Sequence, residues 1–260
     1  MQTKLEIAQN WLPRYTGTAL SDFGKYIILT NFKNYVSNFA ELMDTEIMGI
    51  DNPMQSATKE NITIINFSMG SAMAATIMDL LTAIKPKAVL FLGKAGGLKD
   101  YIGLGELLLP IAAIRGEGAS NDYFPPEVPA LPAFNLQKAI SSTIRDYNKD
   151  YWTGTVYTTN RRLWEHDEQF KEYLKTIRAT SVDMETATLF SVGFYNRIPT
   201  GALLMISDHP MLPDGIKTEK SDKFVTEQFS LEHLKIGIDS IRQLLNKGMT
   251  IKHLKFDYYE

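Results

Sequence analysis

The apolar run Ala202-Leu203-Leu204-Met205-Ile206 stops abruptly at Ser207-Asp208, and this feature most constrains the fold. Five apolar residues with no polar alternation need cover on both faces, which a strand inside an α/β layer structure receives. Such a strand delivers the polar pair that follows it to the sheet edge, where ligands collect in α/β folds. Upstream, Asp183-Met184-Glu185 precedes a helix of small and apolar residues, so both ends of the segment 181–210 can face one site.

The rest of the chain repeats the pattern. Tyr26–Thr30, Asn61–Phe67, Lys87–Leu92, Glu106–Ile114 and Trp152–Tyr157 read as strands, with Pro110 marking an edge or a bulge. Helices are expected over Lys4–Trp11, ended by Pro13, and over Ala72–Ile84, Asn135–Tyr147, His166–Arg178 and Asp222–Leu245. Leu231, Leu234, Ile238, Ile241 and Leu245 recur at helical spacing in the last of these. Alternating strands and helices predict an α/β three-layer sandwich around a central mixed, largely parallel sheet. The 260 residues suit one domain, 1–260, with no internal repeat.

Composition excludes several partners. With 27 basic against 30 acidic residues, no broad field for nucleic acid exists, so any bound anion must be met by local groups. No cysteine is present, which removes disulfides, thiolate metal sites and a cysteine nucleophile. Glu6 and Asn10 interrupt the start where a signal peptide needs an apolar region, and no run approaches membrane-spanning length. A soluble, cytoplasmic protein without membrane contact is expected. His166, His209, His233 and His253 show no metal-ligand spacing, so neither a metal nor a cofactor is assigned.

The candidate site residues follow strands. Asp208 reads either as an acid raised toward neutral pH by burial or as a plain turn former in Ser207-Asp208-His209-Pro210. Asp183 and Glu185 face one side and can grip a polyol if the backbone is extended; if a helix begins there, they are first-turn acids. Gly93-Lys94-Ala95-Gly96-Gly97 is expected to be a tight turn whose amides approach a ligand beside an ammonium group, although it fits neither the Walker nor the dinucleotide pattern. Arg14 in a loop, Arg115 in R-G-E-G-A-S, and Arg161-Arg162 ahead of Trp164 are cations suited to phosphate or carboxylate. Met69 beside Gly70, and Met184 between the acids, stand apart from the methionines that fill the core.

In order, F-S-M-G-S, L-F-L-G-K-A-G-G-L, R-G-E-G-A-S, V-D-M-E-T-A and S-D-H-P resemble the nucleoside phosphorylase and nucleosidase superfamily over nearly the whole chain. R-G-E-G-A-S-N-D-Y-F-P-P-E-V-P-A-L-P and V-Y-T-T-N-R-R-L-W-E-H-D resemble, within it, the family of short AMP nucleosidases, which lack an amino-terminal regulatory domain. The resemblance implies hydrolysis of the N-glycosidic bond of AMP by water, giving adenine and ribose 5-phosphate. It implies that Asp208 serves the leaving purine with Ser207 orienting it, and that Glu185 accepts hydrogen bonds from the ribose, with Met184 and Met69 against the sugar. Asp183 stands where many relatives have glutamate.

Thr30-Asn31-Phe32 stands where phosphorylases carry Gly-Asp-Pro, and Phe91 and Lys94 replace their arginine and hydroxyl residue at the glycine-rich segment. Loss of these anion ligands favours water over phosphate as nucleophile. The cations Lys94, Arg115, Arg14, Arg161 and Arg162 then suit a nucleotide 5′-phosphate, and Glu185 or Glu117 suits water activation. A phosphorylase or thioadenosine-type nucleosidase of the same fold, and a catalytically silent nucleotide sensor, are the alternatives. Relatives form dimers stacked into hexamers, so a homo-oligomer is implied.

Overall fold

The computed structural model describes residues 1–246, and the side chains of residues 1–244. His253 and the side chain of Leu245 lie outside that description. In chain order the elements are α1 (Lys4–Thr16), β1 (Tyr26–Thr30), α2 (Lys33–Met43), β2 (Ile47–Met48), β3 (Gln55–Lys59), β4 (Ile62–Asn66), α3 (Ser71–Leu80), β5 (Ala88–Gly97) and β6 (Leu107–Gly116). They continue as α4 (Phe134–Asp146), β7 (Tyr151–Thr159), α5 (Glu168–Thr176), β8 (Ser181–Asp183), α6 (Thr186–Tyr195), β9 (Thr200–Asp208) and α7 (Glu219–Asn246).

The strands form one nine-stranded sheet, ordered β2-β3-β4-β1-β5-β8-β7-β6-β9, with β5 also paired to β9. That extra pairing closes β5, β8, β7, β6 and β9 on themselves, while β2, β3, β4 and β1 continue as an open wing. Pairings β1–β4, β1–β5, β5–β9, β6–β7 and β7–β8 are parallel, so the expected mixed, largely parallel sheet is present.

Two apolar layers flank it. On one side Ile27 and Leu29 of β1 and Val89 and Phe91 of β5 pack with Leu12, Ala74, Ile77, Leu189 and Val192 from α1, α3 and α6. On the other side Ile28, Leu90 and Leu92 pack with Val36, Phe39, Ile140, Leu234 and Ile238 from α2, α4 and α7. Alternate residues of one strand serve opposite layers, and this is why β1 and the first half of β5 are apolar without interruption.

Several local expectations are corrected. Pro13 does not end the first helix: α1 runs on to Thr16, and Gly17, at φ 68°, closes it by donating its N–H to the Pro13 carbonyl at 2.8 Å. Arg14 therefore lies on a helix and not in a loop. The glycine-rich segment 93–97 is not a turn but the second half of β5, buried throughout and hydrogen-bonded to β9. Its glycines serve side-chain packing: a Cβ at Gly93 would lie 2.4 Å from the Phe91 ring. The expected irregularity at Pro110 is a register shift between Pro110 and Ala112 in the β6–β7 ladder.

Candidate active site

A cavity opens at the carboxyl ends of β5, β8 and β9. It is lined by Asn31, Phe32, Met69, Lys94, Gly96, Arg161, Arg162, Trp164, Asp183, Met184, Glu185, Ser207, Asp208 and Lys217, among others. The ladder between β5 and β9 pairs Ala95 with Ile206 and then Gly96 with Asp208, so Ser207 is the extra residue of a bulge. The bulge re-aims the end of β9. Asp208 meets the cavity, and the Ser207 hydroxyl donates to its Oδ1 at 2.6 Å. Lys217 Nζ stands 4.0 Å from the same oxygen.

Asp183 and Glu185 have different tasks. Asp183 ends β8 and turns inward, accepting from the Thr158 hydroxyl at 2.7 Å, from the Thr186 amide at 2.8 Å and from the Thr186 hydroxyl. It ties β7 to the start of α6. Glu185 sits just ahead of α6, with 1% of its surface exposed, and accepts the Gly70 N–H at 2.7 Å and the Met184 N–H at 3.3 Å. Gly70 presents that amide at φ 93°, a conformation that favours glycine, and a Cβ there would meet nothing.

Burial, reinforced by the Asp183 charge, pushes the Glu185 carboxyl up to about 8, against the lowering effect of its Gly70, Met184 and Asn31 hydrogen bonds. Burial also raises Asp183, opposed by the Thr186 and Thr158 donors. Burial and the neighbouring Asp183 charge together favour the protonated form of Glu185.

Four cations line the same cavity. Lys94, its side chain 2% exposed, binds Asp222 at 2.9 Å and the Thr226 hydroxyl at 2.6 Å, with the Phe32 ring centroid 4.5 Å away. Burial lowers its pKa, opposed by Asp222. Lys217 lies 3.2 Å from Asp222. Arg161 pairs with Asp167 at 2.9 Å and lies over the Phe170 ring, and Arg162 stands 3.4 Å from Glu165. Trp164 is buried beside them and packs against the Phe170 ring edge.

Three of the charged candidates are not brought to the cavity. Arg14 is exposed in the last turn of α1. Arg115 spends its guanidinium on Ser120, Asn121 and the carbonyls of Phe124, Pro125 and Val128, so it fastens the segment after β6. Glu117 is buried and accepts from the Ser120 amide and the Thr188 hydroxyl. Conversely, sequence reading missed Lys217. It lies in the loop 211–218 ahead of α7, whose composition shows only that it is a loop, and only the fold returns it to Asp208. Asn31 and Phe32, which depart from the phosphorylase pattern, both line the cavity.

The fold and these residues define a member of the phosphorylase superfamily: that description matches residues 25–242, and the chain belongs to the superfamily. Within it the chain is similar to an AMP nucleosidase of known structure from Bacteroides thetaiotaomicron, with 56% identity and a TM-score of 0.85 over 94% of this chain and 98% of that one. It is 26% identical to the AMP nucleosidase of Escherichia coli K12 over 91% of its own residues, and spans 58% of that protein's length. A uridine phosphorylase of Treponema pallidum is 24% identical over 74% of this chain and 80% of its own.

Proposed function

We propose that this protein hydrolyses the N-glycosidic bond of AMP, releasing adenine and ribose 5-phosphate. The observation that carries the reading is the placement of Asp208 and Glu185 in one cavity with four lysine and arginine side chains. Cleavage of this bond passes through an oxocarbenium-like state, in which the purine leaves with electrons that a proton or hydrogen bond must stabilise. Asp208, held by Ser207, serves the purine N7. Glu185 accepts from the ribose hydroxyls, and Met184 and Met69 pack against the sugar. Of the two carboxyls suited to activate water, Glu185 lines the cavity and Glu117 does not, so Glu185 takes that role in its ionised form, a fraction that grows as pH rises toward about 8. Lys94, Lys217, Arg161 and Arg162 supply the positive field for the 5′-phosphate.

The similarity to AMP nucleosidases supports the substrate, and the continuous sheet supports one catalytic domain over 1–260. A homo-oligomer, as a hexamer of stacked dimers, belongs to the same reading. It is supported by the exposed apolar side chains of Leu131, Phe134 and Phe194, which a second copy would cover. No helix among the described residues is long and apolar enough to cross a membrane, and a cytoplasmic setting belongs to the same reading, supported by the nucleotide substrate.

The test is adenine release from AMP and from adenosine, each with and without inorganic phosphate. AMP should be preferred and phosphate should not be required. Cleavage of adenosine that depends on phosphate would refute the reading.

A further inference from the structure

We propose that Lys94 and Lys217 form the seat for the substrate's phosphate dianion, and that Asp222 is its resident occupant, displaced by a 5′-phosphate but not by free phosphate. The inference rests on the function proposed above and adds the phosphate ligands and the group that guards them.

One oxygen carries the geometry. Asp222 Oδ1 lies 2.9 Å from Lys94 Nζ and 3.2 Å from Lys217 Nζ, bridging two ammonium groups as a phosphate oxygen would. Both lysines line the cavity with Asp208 and Glu185, whereas Asp222 reaches them from the first turn of α7. The three members differ in burial: the Lys94 side chain is 2% exposed, Lys217 23% and Asp222 39%. A buried ammonium needs a counter-charge at all times, while a carboxylate open to water is free to leave once another anion arrives.

Asp222 also has somewhere to go, because a carboxylate in the first turn of a helix is favoured there with or without a cation. The other pairs differ. Arg161 and Arg162 are each about half exposed, at 46% and 53%, so an anion meeting them is screened by solvent. Lys94 is where a phosphate gains most.

The guard discriminates by tethering. Asp222 is held beside the lysines by its own helix, and free phosphate must compete against that high local concentration. A phosphate attached to a nucleoside is tethered too, by contacts at the ribose and the base, and competes on equal terms. The seat therefore takes phosphate delivered on the substrate and leaves inorganic phosphate in solution.

The experiment compares wild type with Asp222→Asn, titrating each with inorganic phosphate and with ribose 5-phosphate by calorimetry and thermal denaturation. Wild type should bind ribose 5-phosphate and bind inorganic phosphate weakly. The variant should melt earlier, recover on addition of inorganic phosphate, and bind it about tenfold tighter or more than wild type. A variant that binds phosphate no tighter than wild type overturns the proposal.

Should the variant not fold, a crystal structure of wild type with ribose 5-phosphate decides. A phosphate oxygen on Lys94 with Asp222 turned away supports the proposal; Asp222 still on Lys94 with the phosphate elsewhere overturns it. Failure here is distinct from failure of the function, because a protein that cleaves AMP with Asp222 undisturbed refutes only the guard. One that does not cleave AMP refutes the function itself.

Discussion

Replacing Glu185 by Gln should make the protein more resistant to alkali while removing its activity. The folded carboxyl is raised from its ordinary 4.5 to about 8, so between those values the folded chain holds a proton that the unfolded chain has released. A carboxyl raised in this way contributes stability that is fully present below 4.5 and lost as pH rises through about 8. The slope is about 1.4 kcal/mol per pH unit while the two states differ by a whole proton.

From pH 6.5 to 8, allowing for half-titration at the upper end, the wild type should lose about 1.5 kcal/mol relative to a variant with no proton to lose. In a chain of this size that is a melting-temperature difference of roughly 3–6 °C. Gln keeps an oxygen for the Gly70 amide, so the comparison isolates the charge. The assay is thermal or urea denaturation of both proteins across this range. A stability difference that stays constant between pH 6.5 and 8 would refute the placement of the proton on Glu185.

Other consequences are separable. Asp208→Asn should lower the turnover of AMP by about 10²–10⁴-fold, the usual worth of a general acid, and leave AMP affinity nearly unchanged, as rapid-mix kinetics and calorimetry can establish. Arg115→Ala should cost about 2–3 kcal/mol and speed proteolysis within residues 117–130, because it frees three carbonyls, while KM for AMP changes little. His233 is buried, donates from Nε2 to the Leu203 carbonyl and accepts the Tyr35 hydroxyl at Nδ1, and burial lowers its pKa to about 4. The unfolded chain takes up that proton first, so acidification from pH 6.5 to 4 should favour a His233→Gln variant over wild type by about 3 kcal/mol in urea titrations.

The legible parts of the sequence were those whose physics is local. Tyr26–Thr30 is buried on both faces and reads as a strand without help. Two other elements left weaker marks. Gln55–Lys59 is polar and turns into β4 through Glu60 and Asn61, both at positive φ, with no glycine to signal the turn. Lys33–Met43 buries Tyr35, Val36, Phe39, Ala40 and Met43 at helical spacing, with Ser37 and Asn38 on its outward face, but no capping side chain marks its start at Phe32.

In the site, Asp208 and Glu185 were marked by their motifs. Their unlike environments depend on the bulge at Ser207 and on Asp183 taking three hydrogen bonds, which no local pattern encodes. Lys94 was legible as a cation but not as a member of a bridged pair, because Asp222 is 128 residues away in sequence. Arg115 misled for the converse reason: a loop arginine looks the same in sequence whether it meets a ligand or its own backbone.

The central claim, water and not phosphate as the nucleophile on a nucleotide, is tested most directly by following AMP with the protein by phosphorus NMR in phosphate buffer. The account predicts ribose 5-phosphate as the sole new phosphorylated product, with the inorganic phosphate signal undiminished. Formation of ribose 1,5-bisphosphate at the expense of that signal would contradict it.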